Sequence, residues 1–174
     1  FIKPTADGII TLPAGLVDLH ADRGLSPQLQ GQKEALNIGY WLNSDAWVSW
    51  DFTGAKPGDY EVVADLAGLD NSKATLEIGE EKLPIAFTKT GNYNEYKPQV
   101  LGQIKIAGEG VMQLSIRPDK EVWKAVNLKQ VTLRPVVNED IVTHPAFPEE
   151  PLSTEYSVTV SGKEVPVYLA QISE

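Results

Sequence analysis

The sequence predicts an all-β fold: two antiparallel sheets packed face to face as a jelly-roll β-sandwich, followed by a C-terminal extension hairpin. Three observations carry this reading. Apolar residues recur with period two, Gly, Pro, Asn and Asp punctuate the runs, and no segment longer than about two turns sustains a 3.6-residue apolar stripe. Strands this short bury their apolar faces by stacking one sheet on the other, which gathers the loops at the two ends.

The stretch IGYWLNSDAWVSWDF, Ile38 to Phe52, holds three of the chain's four tryptophans. If Ala46 to Phe52 is extended, Val48, Trp50 and Phe52 share one face while Trp47, Ser49 and Asp51 share the other. Trp50 is then a core residue. Trp47, at the start of the strand, fits either the core or a ligand contact. Tyr40 and Trp41 precede the polar turn Asn43-Ser44-Asp45, so one packs inward while its neighbour points out, and packing and binding roles both stay open.

Next, Lys56-Pro57-Gly58-Asp59 supplies the Pro and Gly conformations of a tight reversal. It leads into a strand whose Tyr60, Val62, Ala64 and Leu66 face the core. Further inward sets are Ala74, Leu76 and Ile78; Leu83, Ile85 and Phe87; Ile104 and Ile106; and Met112, Leu114 and Ile116. In AVNLKQVTLRP the apolar positions Val126 and Leu128 are even-numbered but Val131 and Leu133 are odd. One strand would swap faces there without an inserted residue, which predicts a bulge near Lys129-Gln130.

The sandwich is expected to occupy residues 1–136. Residues 137–153, VNEDIVTHPAFPEEPLS from Val137, have the proline-rich, acidic composition of an extended connector. Residues 154–174 alternate again around Ser161-Gly162, a two-residue turn signal for a hairpin. A lone hairpin is marginal in water, so this one either docks on the sandwich or begins a second domain.

Composition narrows the partners. A length of 174 residues suits one domain of about 100–150 residues and an appendage. A formal charge of -9, without a run of Lys or Arg, argues against nucleic acid, whose phosphates need a basic patch. No apolar run approaches the roughly 20 residues that span a bilayer, so no membrane insertion is expected, and the opening Phe1-Ile2-Lys3-Pro4 reads as a trimmed mature segment. Without cysteine there are no disulfides, thiolate metal sites or cysteine nucleophiles. His20 and His144 stand far apart on non-helical segments, which excludes a zinc-protease helix, and neither a phosphate loop nor G-x-S-x-G occurs. The 24 acidic residues are scattered and read as a solvated surface.

Four segments in order, NIGYWLNSDAWVSWDF, PGDYEVVADLA, TKTGNYNEYKPQVLGQIKI and AVNLKQVTL, resemble carbohydrate-binding modules of family 6 and family 35 type. They are especially similar to the galactose-binding-like variant fused to bacterial α-L-fucosidases and sulfatases. The resemblance covers about residues 8 to 135. It implies a sugar ring held between two loop aromatics, with an asparagine bonding its hydroxyls. Tyr40 matches the tyrosine of the GY element, Tyr93 stands where a tryptophan usually follows Thr-Gly-x, and Asn127, in VNLKQ, matches the asparagine. Trp41, beside Tyr40, completes the candidate carbohydrate-binding set. The structural calcium of those families meets a first strand, IITLPAGLVDL, whose Leu12-Pro13-Ala14 offer a hard cation no side-chain oxygen, and no cofactor is expected.

The resemblance implies a non-catalytic module of a secreted, periplasmic or cell-surface bacterial protein, recruiting a glycan-processing enzyme to carbohydrate. A second reading is a structural or interaction β-sandwich with buried aromatics, mediating domain contacts in a multidomain glycoside hydrolase. A third, a small glycoside-active enzyme, requires two opposed carboxylates in a cleft.

Overall fold

The computed structural model describes residues 1–22 and 26–137 and, beyond them, the backbone of two strands. The chain divides into two units, Phe1–Val137 and Asn138–Glu174. The first contains β1 (Ile10–Pro13), β2 (Asp18–His20), β3 (Gln28–Gln30), β4 (Asn37–Gly39), β5 (Trp47–Thr53), β6 (Gly58–Ala67), β7 (Ser72–Ile78), β8 (Glu81–Phe87), β9 (Lys97–Ile106), β10 (Val111–Pro118) and β11 (Asn127–Pro135). Short 3-10 turns at Ala14–Leu16 and Lys33–Ala35 are its helical pieces.

Two antiparallel sheets result. One runs β3-β4-β11-β6-β9 and the other β2-β5-β10-β7-β8. β4 and β1 share one edge of β11, meeting it in turn at Leu128 and at Gln130–Leu133.

The all-β sandwich is therefore as expected, and the alternation in β5 explains how its core is built. Val48, Trp50 and Phe52 are fully buried, as are Leu114 and Ile116 of β10 and Leu76 of β7, and they pack against Ile10, Leu12, Val62, Ala64, Leu66, Val131 and Leu133 from the other sheet. Trp50 satisfies its indole N–H by donating to the carbonyl of Pro13 at 2.8 Å, so its burial strands no polar group. Tyr60 likewise buries its ring and donates its hydroxyl to the carbonyl of Lys56 at 2.9 Å.

The bulge lies where parity demanded it. Leu128 opposes Leu66 and Gln130 opposes Asp65, so Lys129 is the unpaired residue that switches the inward set from even to odd positions. A second bulge, unforeseen, separates Val62 opposite Gly102 from Val63 opposite Val100, leaving Leu101 as the extra residue. Gly102 there has φ +137°, a conformation that favours glycine.

In the second unit, β12 (Tyr156–Val160) and β13 (Lys163–Val167) pair antiparallel, Tyr156 with Val167 and Val160 with Lys163. Residues 138–153 of the expected connector and the Ser161-Gly162 turn lie outside the described residues.

Candidate functional site

The antiparallel topology brings the end of β4, the start of β11, the end of β6 and the start of β9 to one edge of the first sheet. The loops 40–46, 68–71, 88–96 and 119–126 cross between the sheets at that end. Asn127, the first residue of β11, stands among them. It pairs with Ala67 on one side, and on the other the Leu128–Ile38 pairing brings it level with Gly39. Its side-chain amide donates to the carbonyl of Tyr93 at 3.0 Å, drawing the 88–96 loop across the end of β6. Its Oδ1 faces Gly39, where a Cβ would lie 3.1 Å from it and 1.9 Å from Gln30 Oε1. Two amide groups thus converge on the space that glycine leaves open, immediately before Tyr40.

Tyr40 and Trp41 part company as the sequence requires. Tyr40 is 58% exposed and adopts a left-handed backbone, φ +49°. Trp41 is fully buried, so its candidacy as a sugar contact is withdrawn: no face of its ring meets the surface. Its indole N–H donates to the carbonyl of Ala46 at 3.0 Å, and its own carbonyl accepts the indole N–H of Trp123 at 2.8 Å. The two indoles pack with centroids 4.8 Å apart and tilted 56°, and Phe87 meets Trp123 edge-on at 6.2 Å. Trp41 is the anchor beneath the loop that displays Tyr40.

Tyr93 is half-buried on the 88–96 loop, which is internally braced. Asn92 Oδ1 accepts the backbone N–H groups of Asn94 and Glu95 at 2.8 and 2.7 Å. The carbonyl of Gly68 accepts those of Thr90 and Gly91 at 2.9 and 3.2 Å. Gln99 mimics a strand, accepting from Thr88 N–H at 2.8 Å and donating to its carbonyl at 2.6 Å.

Tyr96 belongs to this cluster and was missed by sequence reasoning. Burial pushes its phenol above the ordinary tyrosine range; the Asn127 amide beside it works the other way, and Asp65 adds to the upward shift. It is a neutral hydroxyl at physiological pH. Lys129, re-aimed by the bulge, places Nζ 4.2 Å from the centre of its ring. The signal available in advance was the Lys129 bulge itself, since an unpaired residue beside a strand end turns its side chain toward the neighbouring loop.

Trp47 belongs to neither the core nor this site. It is half-buried on the outer face of the second sheet, stacked on the His20 imidazole at 3.6 Å with 6° between the planes, while the Arg117 guanidinium lies 3.8 Å from its ring centre. Arg117 in turn pairs with Glu77 at 3.0 Å. Among the described residues no group of three or more His, Asp or Glu could hold a metal ion. No helix among them is long and apolar enough to cross a membrane.

An exposed tyrosine, a half-buried one and an amide thus stand together at the loop end of a two-sheet antiparallel sandwich. The chain has the β-sandwich fold of carbohydrate-binding modules of families 35 and 6. It is similar to a family 35 carbohydrate-binding module from Clostridium thermocellum, at 10% identity and a TM-score of 0.60, covering 74% of this chain and 98% of that one. The C-terminal family 6 module of a marine laminarinase from Zobellia galactanivorans matches at 15% identity and a TM-score of 0.56, covering 72% and 98%. A β-(1,4)-mannanase from Podospora anserina that combines a family 26 glycoside hydrolase with a family 35 module matches at 13% identity and a TM-score of 0.54, covering 75% of this chain but 28% of the mannanase. No protein-family profile and no curated protein matches the chain.

Proposed function

We propose that the chain is a non-catalytic carbohydrate-binding module whose loop end reads a sugar through Tyr40, Tyr93 and Asn127. The observation that carries this reading is Tyr40, a large aromatic kept 58% exposed in a left-handed conformation that bulky residues avoid. A pyranose presents an apolar C–H face to such a ring, and the Asn127 and Tyr96 side chains supply hydrogen-bonding groups at its edge. Covering about 100 Å² of apolar sugar surface contributes roughly 2.5 kcal/mol before orientational costs, so a single platform binds weakly. Two solved structures of the same fold, matched over nearly their whole length, are carbohydrate-binding modules, which supports the reading.

The module works in a secreted, periplasmic or cell-surface bacterial protein and holds an enzyme partner near its glycan. Residues 137–153 tether it to a further domain entered by residues 154–174. One observation favours a rival reading as a ligand-free interaction domain: the Asn127 amide already holds the Tyr93 carbonyl. Affinity electrophoresis of the full chain in gels containing β-1,4-mannan, β-1,3-galactan or laminarin separates the two. Retardation by one of them, weakened but still measurable in Tyr40→Ala and in Tyr93→Ala, is the expected result; no retardation with any, at millimolar sugar or about -4 kcal/mol, favours the interaction domain.

A further inference from the structure

Tyr40 stays in its left-handed conformation only if its surroundings over-determine it. Below the loop, Trp41 is pinned by Ala46 and Trp123. Outside it, a single side chain from another loop closes the turn. The hydroxyl of Ser26, fourteen residues upstream, donates to the carbonyl of Tyr40 and accepts the backbone N–H groups of Leu42 at 2.9 Å and Asn43 at 3.3 Å. The Leu42 N–H is shared with the Tyr40 carbonyl, 2.9 Å away, so the turn is tight around Trp41. Asn43 carries the bracing onward: its carbonyl accepts Ala46 N–H at 3.2 Å, and its Oδ1 accepts Asp45 N–H at 2.9 Å. With Trp41 held inside, Tyr40 and Leu42 are left on the outside, 58% and 70% exposed.

We infer that Ser26 is the positioning residue of the sugar platform. Its one hydroxyl uses its donor and two acceptor capacities on both limbs of the Tyr40–Asn43 turn, which keeps the Tyr40 ring outward and still. This rests on the carbohydrate-binding reading of the same site. Pre-organisation is the physical gain: a ring already fixed in its binding pose loses less freedom when a sugar stacks on it.

The test uses the full chain as wild type, Ser26→Ala, Ser26→Thr, Tyr40→Ala and the Ser26→Ala/Tyr40→Ala pair. Two readouts are taken: amide hydrogen exchange at Leu42 and Asn43, and affinity electrophoresis in β-1,4-mannan, β-1,3-galactan and laminarin. Ser26→Ala is expected to speed exchange of both amides about tenfold, the worth of a typical net hydrogen bond, while the core amides of β5 keep their protection. It weakens polysaccharide binding roughly five- to tenfold, Ser26→Thr restores it, and Ser26→Ala adds no loss in the Tyr40→Ala background. Unchanged exchange at both amides would overturn the clamp. Faster exchange with undiminished binding, or an equal loss in the Tyr40→Ala background, would overturn its role in positioning Tyr40. A wild-type chain that binds none of the three polysaccharides overturns the sugar reading itself, whatever the exchange shows.

Discussion

Replacing Trp123 by Phe tests the aromatic anchor beneath the candidate site. Phe keeps a ring against Trp41 and Phe87 but removes the indole N–H that the Trp41 carbonyl accepts at 2.8 Å. That carbonyl is left buried without its partner, which costs about 1–3 kcal/mol. The smaller ring gives up roughly 40 Å² of apolar contact, about 1 kcal/mol more. The sum, about 2–4 kcal/mol, is a large part of the roughly 5–15 kcal/mol that holds an ordinary domain, so the variant still folds but with a thin margin. All four tryptophans lie within Phe1–Val137, so intrinsic fluorescence during urea unfolding of the full chain reports that unit alone. With a slope of about 2 kcal/mol per molar, the midpoint is expected to fall by about 1–2 M. Trp47→Phe is the control, because its ring is half-exposed between His20 and Arg117 and its loss is worth about 0.5–1.5 kcal/mol. A Trp123→Phe midpoint within error of wild type, or a larger fall for Trp47→Phe, refutes the reasoning.

Two further outcomes are expected. Glu77 is held below its ordinary 4.5 chiefly by its bond to Lys82, with Arg117 assisting and burial opposing. Its contribution is therefore complete above the unfolded value and is lost as pH falls through the lower folded one, so the stability advantage of wild type over Glu77→Gln, followed by urea unfolding between about pH 3 and 6, should shrink toward acid; a constant gap contradicts this. Gly102→Ala forces φ +137° on a residue with a Cβ and sets that atom 3.1 Å from Leu83 Cδ1, which is expected to lower unfolding free energy by about 1–3 kcal/mol, and an unchanged midpoint contradicts the assigned bulge.

Strand alternation was legible wherever one face is core and the other is not. Val48, Trp50 and Phe52 announced their face, and the parity change between Leu128 and Val131 announced the bulge at Lys129. The same test applied to Leu101 and Ile104, one partly buried and one buried, would have announced the second bulge too, but the inward set read from the sequence began at Ile104 and left Leu101 out. The candidate site was half legible. Tyr40, Tyr93 and Asn127 share a loop end because the topology folds them there, and the inward-outward split of Tyr40 and Trp41 follows from adjacency. Which of the two faced in was decided by Trp123, more than eighty residues away, and the places of Ser26 and Tyr96 depend on hydrogen bonds and packing between loops that no local pattern encodes. Trp47 was ambiguous for a similar reason: its covering partners, His20 and Arg117, come from β2 and β10.

The unpaired Lys129 has a genetic consequence. It divides β11 into two segments of opposite parity: Leu128 and Val131 both enter the core, though three positions separate them. Deleting that single codon while both segments kept their partners would leave a regular ladder, with Leu128 still opposite Leu66 and Gln130 opposite Asp65, and would take away the cation beside the Tyr96 ring while Asn127 stayed in place. Lineages of this fold could gain or lose that charge at the loop end by a three-nucleotide change that leaves the Asn127 amide and the rest of the sandwich as they were.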